Sequence, residues 1–140
     1  MYLLLIDVLT CLAYGVVGIA LMALGYLIVD LLTPGKLHEL IWSDRNRNAT
    51  LIVSSNTLGV AIVVATAIAT SAEGLAAGLV STAVYGLVGL VIMALSFVLI
   101  DLLTPGKLGS IVAETELHPA AWVNASAHLA VAAVVATAIY

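Results

Sequence analysis

The sequence DLLTPGKL occupies residues 30–37 and occurs again, unchanged, at residues 101–108. Shifting the chain by 71 positions aligns residues 1–69 with residues 72–140 without a gap, and 27 of the 69 aligned pairs are identical. Eight consecutive identities with matched flanks indicate an internal repeat rather than a shared composition. We therefore divide the chain into two units, residues 1–71 and residues 72–140.

Each unit contains two apolar stretches that are long enough to cross a membrane. About 20 mainly apolar residues span the hydrocarbon core of a bilayer, and four stretches qualify, at about 4–32, 50–70, 75–103 and 119–140. The chain is 64% hydrophobic and 9% charged, whereas soluble domains have about 45–50% apolar and about 25% charged residues. The sequence therefore predicts an all-α, polytopic membrane protein of four transmembrane helices.

The number of spans in each unit determines how the repeats are related. A unit with two spans ends on the side where it began, so the second unit enters the membrane from the same side. This predicts two parallel two-helix repeats related by a pseudo-two-fold axis along the membrane normal. Small residues let helices approach closely in lipid, and we expect helices one and three to pack near this axis, with helices two and four outside. The glycines expected at that contact are Gly15, Gly18, Gly25, Gly86 and Gly89.

The basic residues predict the orientation in the membrane. All four Lys and Arg lie in the loops 33–49 and 104–118, and the termini and the turn at 71–74 carry none. Because loops rich in Lys and Arg remain on the cytoplasmic side, we expect both loops to be cytoplasmic and both termini outside. A net charge of −4 also argues against nucleic acid as a partner.

The repeated DLLTPGKL stretch carries a family resemblance that covers essentially the whole chain. The chain resembles bacterial membrane proteins of domain of unknown function 350, whose unit is a pair of membrane helices, often present twice. An Asp and a Thr/Pro/Gly element close the first helix of that unit. The resemblance implies two tandem copies in a bacterial inner (plasma) membrane protein, and it implies no settled activity. Genes of this family tend to lie near polyamine-synthesis and membrane-stress genes.

Asp30 and Asp101 are the first candidates for a functional site. Each lies four residues before a proline, and proline cannot donate a hydrogen bond to the carbonyl at i−4. If the helix continues to the proline, a free carbonyl lies beside each carboxylate near the cytoplasmic mouth. Hard cations and protons favour such oxygen groups. Alternatively, the helix ends there and each Asp lies at the membrane interface, paired with Lys36 or Lys107.

His128 and Asn56 are candidates deeper in the membrane. His128 lies nine residues into the fourth span, which is roughly 13 Å at helical rise. A single histidine in a bundle is most often neutral and hydrogen-bonded to a neighbour. Proton relay is one alternative, and haem ligation is another, which needs a second histidine, whereas His38 and His118 belong to loops. Asn56 and its hydroxyl-bearing neighbours either hold helices together or line a hydrated path.

Two functional hypotheses stay open. Nothing in the sequence resembles a nucleophile with its base, a phosphate loop or a metal-ligand cluster, so we expect no enzyme activity, no cofactor and no metal. The first hypothesis is a channel- or transporter-like subunit for protons, cations or polyamines, assembled as a homo-oligomer around Asp30, Asp101, Asn56 and His128. The second is a non-catalytic accessory or assembly subunit of a larger membrane complex or membrane-stress system. Its basis is the apolar surface and the unlike charge of the two cytoplasmic loops.

Overall fold

A computed structural model describes residues 1–33, 35–103, 108–114 and 116–140. The helices are, in chain order, α1 (Tyr2–Leu32), α2 (Leu37–Trp42), α3 (Arg47–Ala69), α4 (Leu75–Leu103), α5 (Leu108–Ala113) and α6 (Pro119–Ile139). The four long helices are long and apolar enough to cross a membrane, which confirms the predicted fold class. The short helices α2 and α5 were not predicted; they lie between the spans, and we call that side of the bundle the loop end. The opposite side, with residues 70–74, is the turn end.

The ends of the long helices follow local sequence signals. Gly35, just after α1, has a φ of 99°, a left-handed conformation that glycine adopts without strain. The Asn46 side chain caps α3 by accepting a hydrogen bond from the Ala49 N–H at 3.0 Å. Pro119 occupies the first position of α6, where its missing N–H costs nothing. The predicted second turn at 104–107 and Pro34 lie outside the described residues.

Helices α3 and α6 form the centre of the bundle. The α3–α6 interface is the most extensive one, and α3 also packs against α1 and α4. A Cβ built on Gly59 of α3 would lie 3.1 Å from the Cβ of Ala132 of α6, so these two backbones approach closely. The prediction that the first and third spans form the centre is therefore wrong. The most extensive helix interface instead joins the second and fourth spans, α3 and α6, and small residues such as Gly59 and Ala132 let them approach closely.

The structure does not confirm the predicted pseudo-two-fold axis. Such an axis would relate the α3–α4 interface to an equal interface between α6 and α1, and α6 has no comparable contact with α1. The buried faces also differ between the halves. Leu21 and Gly25 are buried in α1, and the matching buried residues of α4 are Met93 and Phe97, 72 positions later rather than 71. One residue is about 100° of helix rotation, so the second half presents a rotated face to the interior.

Two apolar clusters fill the interior. The first, which we call the turn-side cluster, consists of Leu21, Val60, Val63, Val64, Leu90, Met93, Ala132 and Val135. The second, the loop-side cluster, consists of Val29, Leu37, Ala49, Ile52, Phe97 and Val112. Leu37 comes from α2 and Val112 from α5, so both short helices fold over the loop end and contribute to its core.

Four of the five glycines expected at helix contacts are buried. A Cβ on Gly25 would lie 2.8 Å from Val60, and a Cβ on Gly89 would overlap Val63, so both glycines let their helices approach α3. A Cβ on Gly86 would lie 2.5 Å from Leu21, and Gly18 is in ordinary contact range of α3. Gly15 differs from this expectation, because it is exposed and a Cβ there would meet nothing within 4 Å.

Candidate functional site

Three polar side chains lie in the interior between the two apolar clusters. Asn56 of α3 is 4% exposed, and Asn124 and His128 of α6 are 2% and 1% exposed. Asn56 and His128 each lie nine residues after the first residue of their helix, which places both roughly 13 Å from the loop end. Asn124 lies one helical turn nearer to that end. We call these three residues the buried polar layer.

The buried polar layer is poorly hydrogen-bonded. The Asn56 Nδ2 donates to the Gly25 carbonyl at 3.5 Å, which is the outer limit of a hydrogen bond. Neither amide atom of Asn124 nor the Nε2 of His128 has a partner within the described residues. The His128 ring instead lies against Phe97, with ring centroids 5.2 Å apart. An unpartnered buried polar group costs about 1–3 kcal/mol, so these side chains lower the stability of the described conformation.

A small cavity adjoins the layer on its Asn56 side. Its volume is about 10 Å³, and its lining includes Gly25, Asn56, Met93 and Phe97. A single water molecule needs a cavity of roughly 10–15 Å³ with polar partners. The cavity therefore has room for about one water, in contact with the Asn56 amide and separated from His128 by the Phe97 ring.

Asp30 lies at the loop end and not in the buried polar layer. Its Oδ1 accepts a hydrogen bond from the Leu37 N–H at 3.0 Å, so the carboxylate caps the start of α2. Lys36, the partner considered for it, instead pairs with Glu39 at 3.1 Å. Asp101 is half-buried two residues before the end of α4, and Lys107, its suggested partner, lies outside the described residues.

Asn48, which the sequence interpretation did not single out, is the most highly connected polar side chain at the loop end. It is 0% exposed, and its Oδ1 accepts a hydrogen bond from the His118 N–H at 2.8 Å. Its Nδ2 lies 3.1, 3.1 and 2.8 Å from the carbonyl oxygens of Ile111, Glu114 and Glu116. An amide has only two N–H donors, so one donor is shared. Asn48 thus fastens the segment after α5 to the start of α3.

Asn46 reinforces this attachment. Its Nδ2 donates to the carbonyl oxygens of Val112 and Glu114. The pair Asn46 and Asn48, which we call the asparagine clamp, has no equivalent in the second repeat, where Leu117 and Pro119 occupy the matching positions. None of residues 38–48 matches its aligned residue in the second repeat, so this difference did not mark the two asparagines in the sequence.

No acidic side chain enters the interior of the bundle. All eight Asp and Glu residues lie in the described ranges, and each is exposed or half-buried. Within those ranges, no three His, Cys, Asp or Glu side chains come together in a way that could hold a metal ion. The buried polar layer offers one imidazole and two carboxamides, and the buried Ser55 hydroxyl beside Asn56 donates to the Ile52 carbonyl at 2.9 Å.

Comparison with known proteins identifies the family. The sequence profile described as Domain of Unknown Function (DUF350) matches residues 3–139. A UPF0719 transmembrane protein of Mycolicibacterium paratuberculosis is 40% identical over 126 residues, which cover 90% of this chain and 83% of that protein. A UPF0719 transmembrane protein of Mycobacterium bovis is 38% identical over the same shares of both chains. No solved structure is similar to this chain. The resemblance seen in the sequence is confirmed: this transmembrane chain belongs to the DUF350 family.

Proposed function

We propose that this chain is a proton-conducting membrane subunit in which the buried polar layer holds the proton in transit at mid-span. The observation that supports this proposal is the unpartnered Nε2 of His128, one helical turn from an Asn124 amide without partners. Ionisable groups inside membranes are rare and mark ion or proton pathways when they occur. Imidazole can take up a proton on one ring nitrogen and release one from the other.

The composition of the layer favours a proton over a metal cation or a polyamine. A permanent cation buried in a low-dielectric interior needs a compensating negative charge, and none of the eight acidic residues is buried. A proton that hops between neutral groups places only a transient charge in the layer. Of the residues suggested by the sequence, we therefore assign proton transfer to His128 and a hydrogen-bonding role in the same layer to Asn56, and we give Asp30 a structural role at α2.

Conduction in this proposal requires the bundle to open. The turn-side cluster separates the buried polar layer from the turn end, and the loop-side cluster separates it from the loop end. Both clusters consist of side chains that cannot carry a proton. The described conformation therefore corresponds to a closed state, and opening of one cluster at a time would let the layer exchange protons with one side.

Assembly, location and orientation belong to the same proposal. The interior cavity described above has room for about one water and four helices are too few for a wide pore, so we propose a homo-oligomer. We place it in the bacterial inner membrane with the loop end in the cytoplasm, following the distribution of Lys and Arg. No nucleic acid, cofactor or enzymatic step enters the proposal.

Proton flux into sealed vesicles tests the conduction proposal. Purified protein in proteoliposomes that contain a pH-sensitive dye should acidify the lumen under an imposed proton gradient. His128→Gln, which keeps a hydrogen-bonding side chain but cannot relay a proton, should reduce the rate at least about a hundredfold, the low end of what a positioned proton-transfer group supplies. The matched control is His38→Gln, because His38 is exposed on α2; its flux should equal that of the wild type. Circular dichroism confirms that both variants are folded.

Two outcomes contradict the proposal. Wild-type flux equal to that of empty vesicles, with folded protein, removes the conduction role. Equal flux in His128→Gln and the wild type shows that the buried polar layer is not on the pathway.

Cysteine labelling tests the orientation. In a Cys11→Ala background, single cysteines replace Glu73 at the turn end and Glu114 at the loop end. Both glutamates are exposed. A membrane-impermeant maleimide added to intact cells should label position 73 and should label position 114 only after permeabilisation. The reverse pattern would invert the proposed topology.

An assembly role is the second candidate, and the start of α1 favours it. Residues 1–9 are all exposed. Gly25 and Leu21 of α1 lie beside Leu90 and Gly86 of α4, so residue 10 is level with Leu75, where α4 begins. Residues 2–9 therefore extend roughly 12 Å beyond the bundle at helical rise. This apolar segment, which we call the α1 arm, offers a partner subunit a surface that no part of this chain covers.

Site-specific photocrosslinking tests the assembly role. A photoreactive residue at Leu5 of the α1 arm should give a protein adduct of defined mass. The same probe at Leu95, an exposed position within the body of α4, is the matched control and should give lipid adducts. Lipid adducts alone at both positions would remove the basis for this candidate.

A further inference from the structure

A groove lies between the starts of α3 and α6 at the loop end. Its volume is about 310 Å³, far larger than the cavity in the interior. Its walls are formed by four residues of α3, one residue before α6 and one residue in the first turn of α6: Arg47, Thr50, Leu51, Ser54, Leu117 and Trp122. The α3 residues are spaced at i, i+3, i+4 and i+7, so they share one face of the helix. Polar and apolar side chains are thus combined in a single concave surface.

The polar side chains of the groove lie at different depths along the membrane normal. Arg47 is the first residue of α3, and Ser54 lies seven residues further into the span, which is roughly 10 Å at helical rise. Leu51 and Trp122 line the wall between these depths. A ligand that fits this arrangement has an anionic group at the Arg47 end and an apolar body that carries a hydrogen-bond acceptor within reach of Ser54.

The polar groups of the groove are available to a ligand. The Arg47 side chain is exposed, and it makes no ion pair with any residue that the structure describes. Among those residues, Lys36 pairs with Glu39. The Ser54 hydroxyl has no hydrogen-bond partner in the same ranges. The Thr50 hydroxyl donates to the Asn46 carbonyl at 2.8 Å, so it offers an acceptor to the groove. The Arg47 guanidinium therefore suits a phosphate, and the free Ser54 hydroxyl, roughly 10 Å deeper at helical rise, suits an acceptor such as an ester carbonyl on the same ligand.

We propose that this groove binds an anionic phospholipid, with its phosphate at Arg47, an acyl ester carbonyl at the Ser54 hydroxyl, and its acyl chains along Leu51, Leu117 and Trp122. A free phosphate would leave the apolar walls without a partner, whereas a lipid covers them. Basic pockets between transmembrane helices bind the headgroups of anionic lipids. The second repeat offers no equal site, because Ala121 and Ala125 occupy the positions that match Thr50 and Ser54. Each chain therefore binds one such lipid on α3.

Tryptophan quenching by brominated lipids tests this proposal. The chain has two tryptophans, so the substitution Trp42→Phe leaves Trp122, in the groove wall, as the only one. In vesicles of phosphatidylcholine with a small fraction of brominated phosphatidylglycerol, quenching of Trp122 should indicate an association about fivefold stronger than that of brominated phosphatidylcholine. Fivefold is the scale of one basic side chain at an anionic lipid surface. Arg47→Gln should abolish the preference, and Arg47→Lys should retain part of it.

The control separates a specific groove from general surface charge. Lys36→Gln removes one positive charge from the same loop but outside the groove, and it should leave the preference unchanged. Equal loss in Lys36→Gln and Arg47→Gln overturns the proposal in favour of non-specific attraction. Equal quenching by the two brominated lipids overturns lipid selectivity itself. Loss of the preference on addition of inorganic phosphate, but not of sodium chloride at matched ionic strength, identifies a free phosphate as the ligand and overturns the lipid assignment.

Discussion

Replacing Asn48 and Asn124 separately by alanine compares two buried asparagines that differ in their partners. Both are nearly inaccessible, at 0% and 2% exposure. Asn48→Ala removes one accepted and two donated hydrogen bonds at the asparagine clamp. At about 1 kcal/mol for each bond, the loss is about 3 kcal/mol. At the roughly 0.6 kcal/mol found on average for hydrogen bonds within membranes, it is about 2 kcal/mol.

Asn124→Ala should cost little by comparison. Neither amide atom of Asn124 has a partner within the described residues, so alanine removes no hydrogen bond. It relieves the desolvation of an unpartnered amide, about 1–3 kcal/mol, and it leaves a small void that offsets much of this gain. We expect a change in the free energy of unfolding within about 1 kcal/mol of zero.

Unfolding in mixed detergent and dodecyl sulfate micelles, followed by circular dichroism, measures both changes. The midpoint should fall clearly for Asn48→Ala and hardly move for Asn124→Ala. Asn48→Asp provides a second check on the clamp. It keeps the acceptor for His118 but places a carboxylate against three carbonyl oxygens, so it should be at least as destabilising as alanine. Equal destabilisation by the two alanine substitutions would refute the reasoning from hydrogen-bond partners.

Three further substitutions test individual contacts. Gly89→Ala inserts a methyl group where the α3 and α4 surfaces already touch, and it should destabilise the protein by about 1–3 kcal/mol. Gly15→Ala is the control, because its methyl group meets open space. It should be neutral or slightly stabilising in the same unfolding assay. Asp30→Ala removes the cap of α2 and should raise the hydrogen-exchange rate of the Leu37 amide. Asp30→Asn keeps an acceptor oxygen and should leave that rate close to the wild type. An unchanged rate in the alanine variant would contradict the role of Asp30 as a cap. Tyr14→Phe removes a hydroxyl that lies 3.0 Å from the Ser71 hydroxyl and should lower stability by about 1 kcal/mol; no loss would mean that the turn end does not depend on this bond.

The sequence predicted the spans well because span length and hydropathy are properties of a single segment. It did not predict which helices form the centre. Every long helix is mainly apolar, so the period of its apolar residues does not mark an interior face. The face that becomes buried depends on neighbouring helices, and a one-residue change of register between the halves was enough to bury His128 while its aligned partner Thr57 is only half-buried.

The sequence predicted part of the candidate site, namely the polar residues that lie within a span. Asn56 and His128 stand out because polar groups are costly within a span, and the structure brings them to the same depth. The asparagine clamp could not be predicted, because its hydrogen bonds join residues 63 to 70 positions apart. The contact of Asp30 with the start of α2 was not predicted, because the sequence does not reveal that α2 begins within reach of its carboxylate.

The different lengths of the spans have a consequence for the surrounding lipid. α1 has 31 residues and α3 has 23, so they measure roughly 46 Å and 34 Å at helical rise. A hydrocarbon core of about 30 Å matches the shorter helix, and the α1 arm then exceeds it. Hydrophobic mismatch of this kind is relieved by tilting or by local thickening, at fractions of a kcal/mol per Å. The protein should therefore concentrate in the thicker regions of a laterally uneven membrane and should stretch the acyl chains on the α1 side more than on the α6 side.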